Sequence, residues 1–552
     1  MNQRLKLALI IENKFVEEWV FHLVKHLLKK DYVVLEFLIL AKSETNNEIN
    51  YKEPNLLSNY IDWENKKYKA TKNLFSRKDL SLIIKAFCPK KIDDIKKTTR
   101  FDIIINLTSR SVEKKFIKSA KIGVWDINFG ADSTEKKELK FFWEVYYKKT
   151  TSLISLISYD SKTPEGKIIY RTTSNTKLLS FYENLKKNYF KPTFLILRRL
   201  EQVHKYGDGI LKKGDFNLVK NSNQNYYPNN LQMLILHLKL FFREVIFLFR
   251  RQFFVPEWEI LVKHKKIITK IKPKRGSWYA DPFPIQANNR TYLFFEDFIK
   301  NQNKGCISCV EIKNGKISEP IEVLNENFHL SYPHVYSFNN EYYMIPESME
   351  DESIRLYKAS KFPNEWKLVK KLINNIKAVD TTIFYYKDKH WLFTNIAKDG
   401  FSDWEELYLF YSEKLFGDWT PHPLNPIVSD VKSSRPAGKI FINDFGEIIR
   451  PSQDCSKCYG YAINLSVITK ITTTEYEEEI LEKILPKSFG NYFGTHTFNK
   501  EENFYFYDVK KWKRNKNYNV IKFLKNIIGI YHHKPIRNFF IAAINKKIKV
   551  KS

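Results

Sequence analysis

Glycine is scarce in this chain, 17 in 552 residues, and none follows the first apolar run in the close spacing that cradles a phosphate. A dinucleotide fingerprint needs such glycines for its tight turn and for close backbone approach, so a nucleotide-binding Rossmann site is not supported. Long hydrophobic runs are also missing. No stretch of 18 apolar residues is free of charge, so no transmembrane helix is expected. Cysteine is limited to Cys88, Cys306, Cys309, Cys455 and Cys458. The two C-x-x-C pairs raise zinc, but they lie far apart, in or beside strand-like text where residues i and i+3 face opposite ways. They read as reduced structural thiols, and no metal site is predicted. Acid is absent from the C-terminal end, where 13 Lys and Arg follow Asp508 without one Asp or Glu.

The net charge of +30 is therefore uneven. Residues 276–508 hold 25 Lys and Arg against 33 Asp and Glu, so the basic excess lies outside them. Cations gathered in a tail favour an acidic membrane surface over nucleic-acid readout, and no nucleic-acid partner is expected. The apolar run Leu7–Ile11 stops at Glu12 with no cleavage site after it. It reads as a buried first strand, not a signal peptide. The expected location is the cytoplasm, with peripheral attachment to the inner face of the membrane through the tail.

Four segments follow from the pattern. Residues 1–175 alternate apolar runs (Leu5–Ile11, Val33–Leu40, Phe101–Asn106, Ile122–Ile127, Leu153–Ser158, Lys167–Arg171) with charged amphipathic stretches such as Phe15–Lys30, which predicts a doubly wound α/β domain. Residues 176–255 read as a helical connector. Within it Leu231–Phe254 is very apolar but broken by charges, either a helix packed between domains or one lying in a membrane interface. Residues 256–512 are aromatic and β-rich. Residues 513–552 form a basic tail with amphipathic helices expected at Val520–Ile530 and around Arg537–Ile548.

The β-rich segment repeats. Five stretches share one layout, an opening polar residue, an apolar strand, a turn and an aromatic strand: ADPFPI from Ala280, YPHVYS from Tyr332, VDTTIF from Val379, SRPAGKIF from Ser434 and FGTHTF from Phe493. Starts roughly 45–60 residues apart suit four-stranded blades and predict a five-bladed β-propeller. The openers Asp281, His334, Asp380, Arg435 and His496 should face its axis. The second strands end in Glu296, Glu347, Asn395, Gln453 and Asp508. Such a ring of charges needs a functional or a pairing reason.

The text SWYADPF, HLSYPHV, YYMIPES, LYKASKFPNEW, VDTTIF, LFYSEKLFGDWTPHPLNPI, RPAGKI and RPSQDC–YG resembles the N-terminal domain of plant glucosamine inositolphosphorylceramide transferases and of bacterial surface-glycan proteins. In layout it also resembles five-bladed glycoside hydrolases. The resemblance implies a carbohydrate-active role in cell-surface glycan or glycolipid assembly, as transferase or accessory part. In the plant proteins a separate domain is thought to carry glycosyl transfer. The alternatives are a glycosidase and a non-catalytic glycan-binding module. FDIIINLTSRSV, KIGVWDINFGAD and the stretch from Phe141 to Thr172 resemble a formyltransferase fold. That family's Asn-x-His pair falls on Asp126 and Asn128, and the segment where a later Asp belongs reads Thr163-Pro164-Glu165-Gly166. The resemblance thus implies a degenerate formyltransferase-like domain.

For catalysis the candidates are Asp281, Glu347 and Asp380, because paired carboxylates serve as acid and base at a sugar bond. For substrate binding they are Trp278, Tyr279 and Tyr332 as stacking faces, His334 and His496 as hydrogen-bonding groups, Arg435 and Arg450 as forks for phosphate or carboxylate, and Gln453. The competing expectation is that Asp281 and Asp380 cap strands or pair with Arg435. A glycan, sugar or glycolipid is the expected partner, and the sequence names no cofactor.

Overall fold

A computed structural model describes residues 4–39, 55–67, 76–84, 90–91, 100–108, 114–130, 139–212, 228–313 and 315–531. The helix expected around Arg537–Ile548 lies outside them. Two compact units emerge. One comprises residues 1–172, 176–252 and 517–552, and the other 253–516 with the short stretch 173–175.

The first unit is built on a seven-stranded sheet. Its order is Lys90–Lys91, Val33–Ile39, Leu5–Ile11, Phe101–Asn106, Ala120–Phe129, Thr151–Tyr159, Lys167–Asn175. The first five run parallel, and Thr151–Tyr159 pairs antiparallel. Leu7–Ile11 and Ile103–Ile105 are buried without a break, as expected for parallel strands covered on both faces. The stretch Phe15–Lys30 divides into a short strand, Phe15–Glu17, and the helix Glu18–Leu27, which buries Trp19, Val20, Leu23, Val24 and Leu27 at helical spacing. Helix Asn230–Phe253 belongs to this unit and buries Met233, Leu236, His237 and Leu240. Those residues pack with Leu57, Tyr60, Phe142, Trp143 and Phe181.

The second unit is a five-bladed propeller. Blade 1 holds Ser277–Ala287, Arg290–Ile299 and Lys304–Lys313, with two short strands on its outer edge. Blade 2 is Ser331–Phe338, Glu341–Glu347, Ser353–Lys361 and Glu365–Asn374. Blade 3 is Ala378–Tyr386, Lys389–Ile396, Leu407–Ser412 and Thr420–Pro421. Blade 4 is Phe441–Ile442, Ile448–Asp454, Ala462–Ile471 and Tyr476–Ile484. Blade 5 is composite. Its inner strands Phe498–Glu501 and Phe504–Arg514 come from the end of the unit, and its outer strands Phe254–His264 and Ile267–Ile271 from the beginning. The long Phe254–His264 to Phe504–Arg514 ladder therefore closes the ring.

One apolar cluster fills each space between neighbouring blades. Phe283, Phe294, Val335 and Met344 join blades 1 and 2. Ile345, Leu356, Ile383 and Leu392 join 2 and 3. Phe393, Leu409, Ile448 and Ile468 join 3 and 4. Ile449, Ile463, Phe498 and Val509 join 4 and 5. Ile260, Val262, Leu293 and Phe506 join 5 and 1. Burial of this kind stabilises by roughly 25 cal/mol per Å² of apolar area.

Candidate functional site

Three inner strands carry the same irregularity. The pairing slips between Ala280 and Phe283, between Ser331 and His334, and between Val379 and Thr382. Inside each slip one residue takes a left-handed backbone: Asp281 at φ 51°, Tyr332 at 43° and Asp380 at 51°. A bulge bends its strand and re-aims a side chain. A non-glycine residue held there costs on the order of 1–2 kcal/mol and persists only where its surroundings fix it. The bulge corrects the assignment of blade 2. Its opener is Tyr332, not His334, which occupies the position of Phe283.

The surroundings that fix Asp281 are carboxylates and amides from adjacent blades. The Asp281 N–H donates to Asp508 Oδ2 at 3.0 Å, and Asp281 Oδ2 accepts the Tyr332 N–H at 3.1 Å. Thr497 donates its hydroxyl to Asp281 Oδ1 at 2.6 Å. Asp508 Oδ1 takes the N–H groups of His496 and Thr497. His496 lies between the two acids, Nδ1 2.5 Å from Asp508 and Nε2 3.7 Å from Asp281, with its ring flat on Trp258 at 3.8 Å. Burial pulls the His496 pKa down, but Asp508 and Asp281 outweigh it and the net shift is upward. Among the described residues, Asp281, His496 and Asp508 offer ligand atoms within 4.8 Å of one another. The His496–Asp508 contact and the amides on Asp508 already use the lone pairs a cation would need, so the group reads as a hydrogen-bonded triad.

Asp380 is also fully engaged. Arg435 Nε donates to it at 2.6 Å and Nη2 at 3.3 Å, and Gln453 Nε2 adds a third bond at 2.9 Å. The remaining arm of Arg435 reaches Asp403 at 2.6 Å. Burial raises the Asp380 pKa while Arg435 opposes it. Tyr332 is wholly buried. Its hydroxyl meets Thr382 at 2.9 Å and accepts the Gly438 N–H at 2.7 Å, so the ring crosses from blade 2 to blade 4. Gly438 sits at φ 141°, and a Cβ there would lie 2.0 Å from the Phe498 carbonyl oxygen, so only glycine admits this approach.

Several sequence expectations change in consequence. Tyr332 braces the inner end of the channel and offers no free face at a mouth. Tyr279 is buried in the core between blades 5 and 1, where its hydroxyl accepts the Lys274 N–H. Trp278, half-buried, stacks on Phe298 at 4.5 Å. His334 is enclosed beside Phe283 and Tyr336, and burial together with Lys439 pushes its pKa down to about 3, which makes it neutral. Arg450 forks onto Glu478 at 2.6 Å twice and onto the Ser433 carbonyl, within its own blade. Arg435 and His496 are thus occupied by acids, while Arg450 keeps one buried nitrogen, Nη1, without a hydrogen-bond partner among the described residues.

The acids do converge. Asp281, Glu296, Glu347, Asp380 and Asp508 influence one another electrostatically. Burial raises Asp281 to about 6, with His496 opposing. Burial and the neighbouring acids hold Glu296 well above its usual range. Glu347, raised by burial, accepts the Met349 N–H and the Ser331 hydroxyl at 2.9 Å each and is the more exposed of the three catalytic candidates.

Above this layer lies a rim that sequence reasoning missed. Half-buried Trp404, in the loop after the second strand of blade 3, faces Tyr459, in the equivalent loop of blade 4, with ring centres 5.7 Å apart. Tyr459 covers the Arg435 guanidinium at 4.9 Å. Half-buried Lys510 lies over Trp258 at 4.7 Å and near Tyr459 at 5.6 Å. Asp403, partly exposed, completes the group. The signal was in the text: Tyr459 lies within the CSKCYG run and Trp404 follows Asp403.

In the first unit, Asp126 stands at the C-terminal end of its strand opposite Asn106. Burial raises its pKa to about 7, against the Ile127 N–H and the Asn106 side chain. Asn128 donates weakly to the Gly130 carbonyl at 3.4 Å, and Glu165 is exposed in a turn. No described contact joins Glu165 to Asp126.

Residues 268–515 match the family described as glucosamine inositolphosphorylceramide transferase 1, N-terminal. The rice (Oryza sativa subsp. japonica) protein named glucosamine inositolphosphorylceramide transferase 1 is 36% identical over 221 residues, 38% of this chain and 29% of its own length. The Arabidopsis thaliana protein of the same name is 36% identical over 211 residues, 37% of this chain and 27% of its own length. The chain thus spans less than a third of these relatives. Among solved structures, a family 117 glycoside hydrolase from Zobellia galactanivorans is 12% identical, covering 45% of this chain and 90% of its own, with a TM-score of 0.33. A thermostable family-43 glycoside hydrolase is also 12% identical, covering 42% and 87%, with a TM-score of 0.32. Likeness of that strength decides nothing about activity.

Proposed function

We propose that the propeller is the sugar-recognising part of a glycolipid-assembly protein, and that it holds the polar head of a glycolipid at the rim of its channel. The observation that carries this reading is the rim itself, two half-buried aromatics (Trp404, Tyr459) beside a carboxylate with exposed surface (Asp403) and a half-buried cation (Lys510). Flat aromatic faces suit the apolar side of a pyranose, and carboxylates orient hydroxyl or amino groups. Lys510 takes the role first given to Arg435, since its ammonium lies over the rings of Trp258 and Tyr459 and suits a phosphate or carboxylate. The relatives' name supports an amino sugar and an inositolphosphoryl group as the head to try first. Titration calorimetry of the full chain against a glucosamine-bearing inositol phosphate, with inositol phosphate alone as control, tests it. Saturable heat with the sugar-bearing head is expected; none with either sinks the reading.

A hydrolytic or transfer reaction at the same place is the second reading. Glu296, whose pKa burial and its acidic neighbours push upward, and Glu347, held by two donors, come from adjacent blades and are differently supported, as acid and base at a glycosidic bond must be. Product release from an aryl glycoside, lost in Glu296→Gln, would favour it over binding alone.

For the N-terminal domain we propose a formyltransferase-like fold without formyl chemistry. Asn128 stands in place of the histidine, and general acid–base help of that kind is typically worth 10²–10⁴-fold in rate. Formyl transfer from a folate carrier to an amino sugar at an ordinary enzymatic rate would refute it.

A further inference from the structure

Helix Asn230–Phe253 is apolar on two sides, but the protein covers one. Met233, Leu236, His237 and Leu240 face the domain. On the opposite face Leu231, Leu238, Phe242, Ile246 and Phe249 follow one another at steps of seven, four, four and three, which is a single line along a helix. All five are between 36% and 64% exposed. At 1.5 Å per residue the line is about 27 Å long. Beyond Leu240 no residue of this helix is buried. A helix apolar all round is ordinarily enclosed, so the uncovered line calls for an occupant.

A second helix extends the surface. Phe523 of Val520–Tyr531 meets Phe249 edge-on, with ring centres 5.9 Å apart, and Val520, Ile521 and Leu524 are exposed beside it. The charges around this face have one sign. Arg250 and Arg251 lie in the last turn of the first helix, and Lys522 and Lys525 are exposed on the second. Glu244 is the one acid of the first helix.

From this juxtaposition we infer that the two helices form one docking face for an anionic lipid bilayer, lying in its plane with the Leu231–Phe249 line in the acyl boundary and the cations on lipid phosphates. Charge complementarity selects this occupant. Pairing with a second copy would bring two like-charged rims together, which costs binding energy. Neither helix is long and apolar enough to cross a membrane, which leaves the in-plane arrangement. Apolar insertion and phosphate attraction reinforce each other, as stable peripheral binding requires. The inference does not depend on what the propeller binds.

The test is co-sedimentation of the full chain with phosphatidylcholine vesicles and with vesicles in which about a third of the lipid is phosphatidylserine. Binding to the anionic vesicles alone is expected, weakened but not abolished at ~0.5 M salt. Phe242→Ser/Ile246→Ser/Phe249→Ser should lower partitioning at least about tenfold with the melting temperature unchanged. Ile521→Ser/Leu524→Ser, on the other helix, should weaken it in the same direction. Equal sedimentation of wild type with neutral and anionic vesicles, undiminished sedimentation of both variants, or a wild-type dimer that the triple variant splits with no vesicle binding in either, would overturn the inference.

Discussion

In the propeller, Asp281, Glu296, Glu347, Asp380 and Asp508 converge from four blades, and the oxygens of Asp281, Asp380 and Asp508 are met by amides, hydroxyls or a guanidinium. In the N-terminal domain, Asp126 is held by the Ile127 amide and the Asn106 side chain on an interior strand of the sheet. The difference teaches where to look for ligands. A network that satisfies its own members fixes architecture, and its charges are no longer free to bind. Recognition then falls to groups at its border. In the N-terminal domain Asp126 is lightly supported, so its charge is adjustable but its orientation is weakly fixed.

The largest expected effect is on Arg435. Arg435→Ala strands Asp380 without its counter-ion and should cost about 3–5 kcal/mol. Calorimetric unfolding reads it, and a melting temperature equal to wild type would show that the network does not brace the ring. Acid titration sharpens the comparison next. Asp281 keeps its proton to about 6 when folded, against 3.8 ordinarily. The folded state thus holds more protons over that interval, and propeller stability should fall as pH rises from about 4 to about 6. The raised His496 continues the decline above its ordinary 6.5. Urea midpoints followed by tryptophan fluorescence check the sign, and stability that climbs through this window would contradict it. The smallest effect is on Asp126, raised to about 7. Asp126→Asn should stabilise the first unit by on the order of 1–2 kcal/mol at pH 8, after allowance for solvent screening, and by little at pH 4. Hydrogen exchange of the peptide 120–129 is the readout, and unchanged or faster exchange at pH 8 would contradict it.

The architecture was legible where it repeats. The five segments each supply an inner strand or its opening, because blade periodicity and apolar–aromatic alternation are local properties of the text. The runs Leu5–Ile11 and Phe101–Asn106 are strands with the same bounds. What escaped depends on partners distant in sequence. The reading at blade 2 slipped by two residues because Tyr-Pro-His offers a histidine where blade 1 offers phenylalanine; only the left-handed backbone of Tyr332 fixes the register. Arg450 looked available because Glu478 lies two strands away. Trp404 and Tyr459 stand in loops, outside the strand pattern, and meet only when blades 3 and 4 are adjacent.

The most direct test of a rim site over a self-satisfied network is calorimetric titration of the glucosamine-bearing inositol phosphate into wild type, Trp404→Ala and Asp281→Asn, with the melting temperature of each. Trp404→Ala should weaken binding at least about tenfold, the order of a lost aromatic contact, while melting near wild type. Asp281→Asn should shift the melting temperature and leave the affinity of the folded protein within about threefold of wild type. Undiminished binding in Trp404→Ala together with abolished binding in folded Asp281→Asn would contradict the account and return the site to the buried carboxylates.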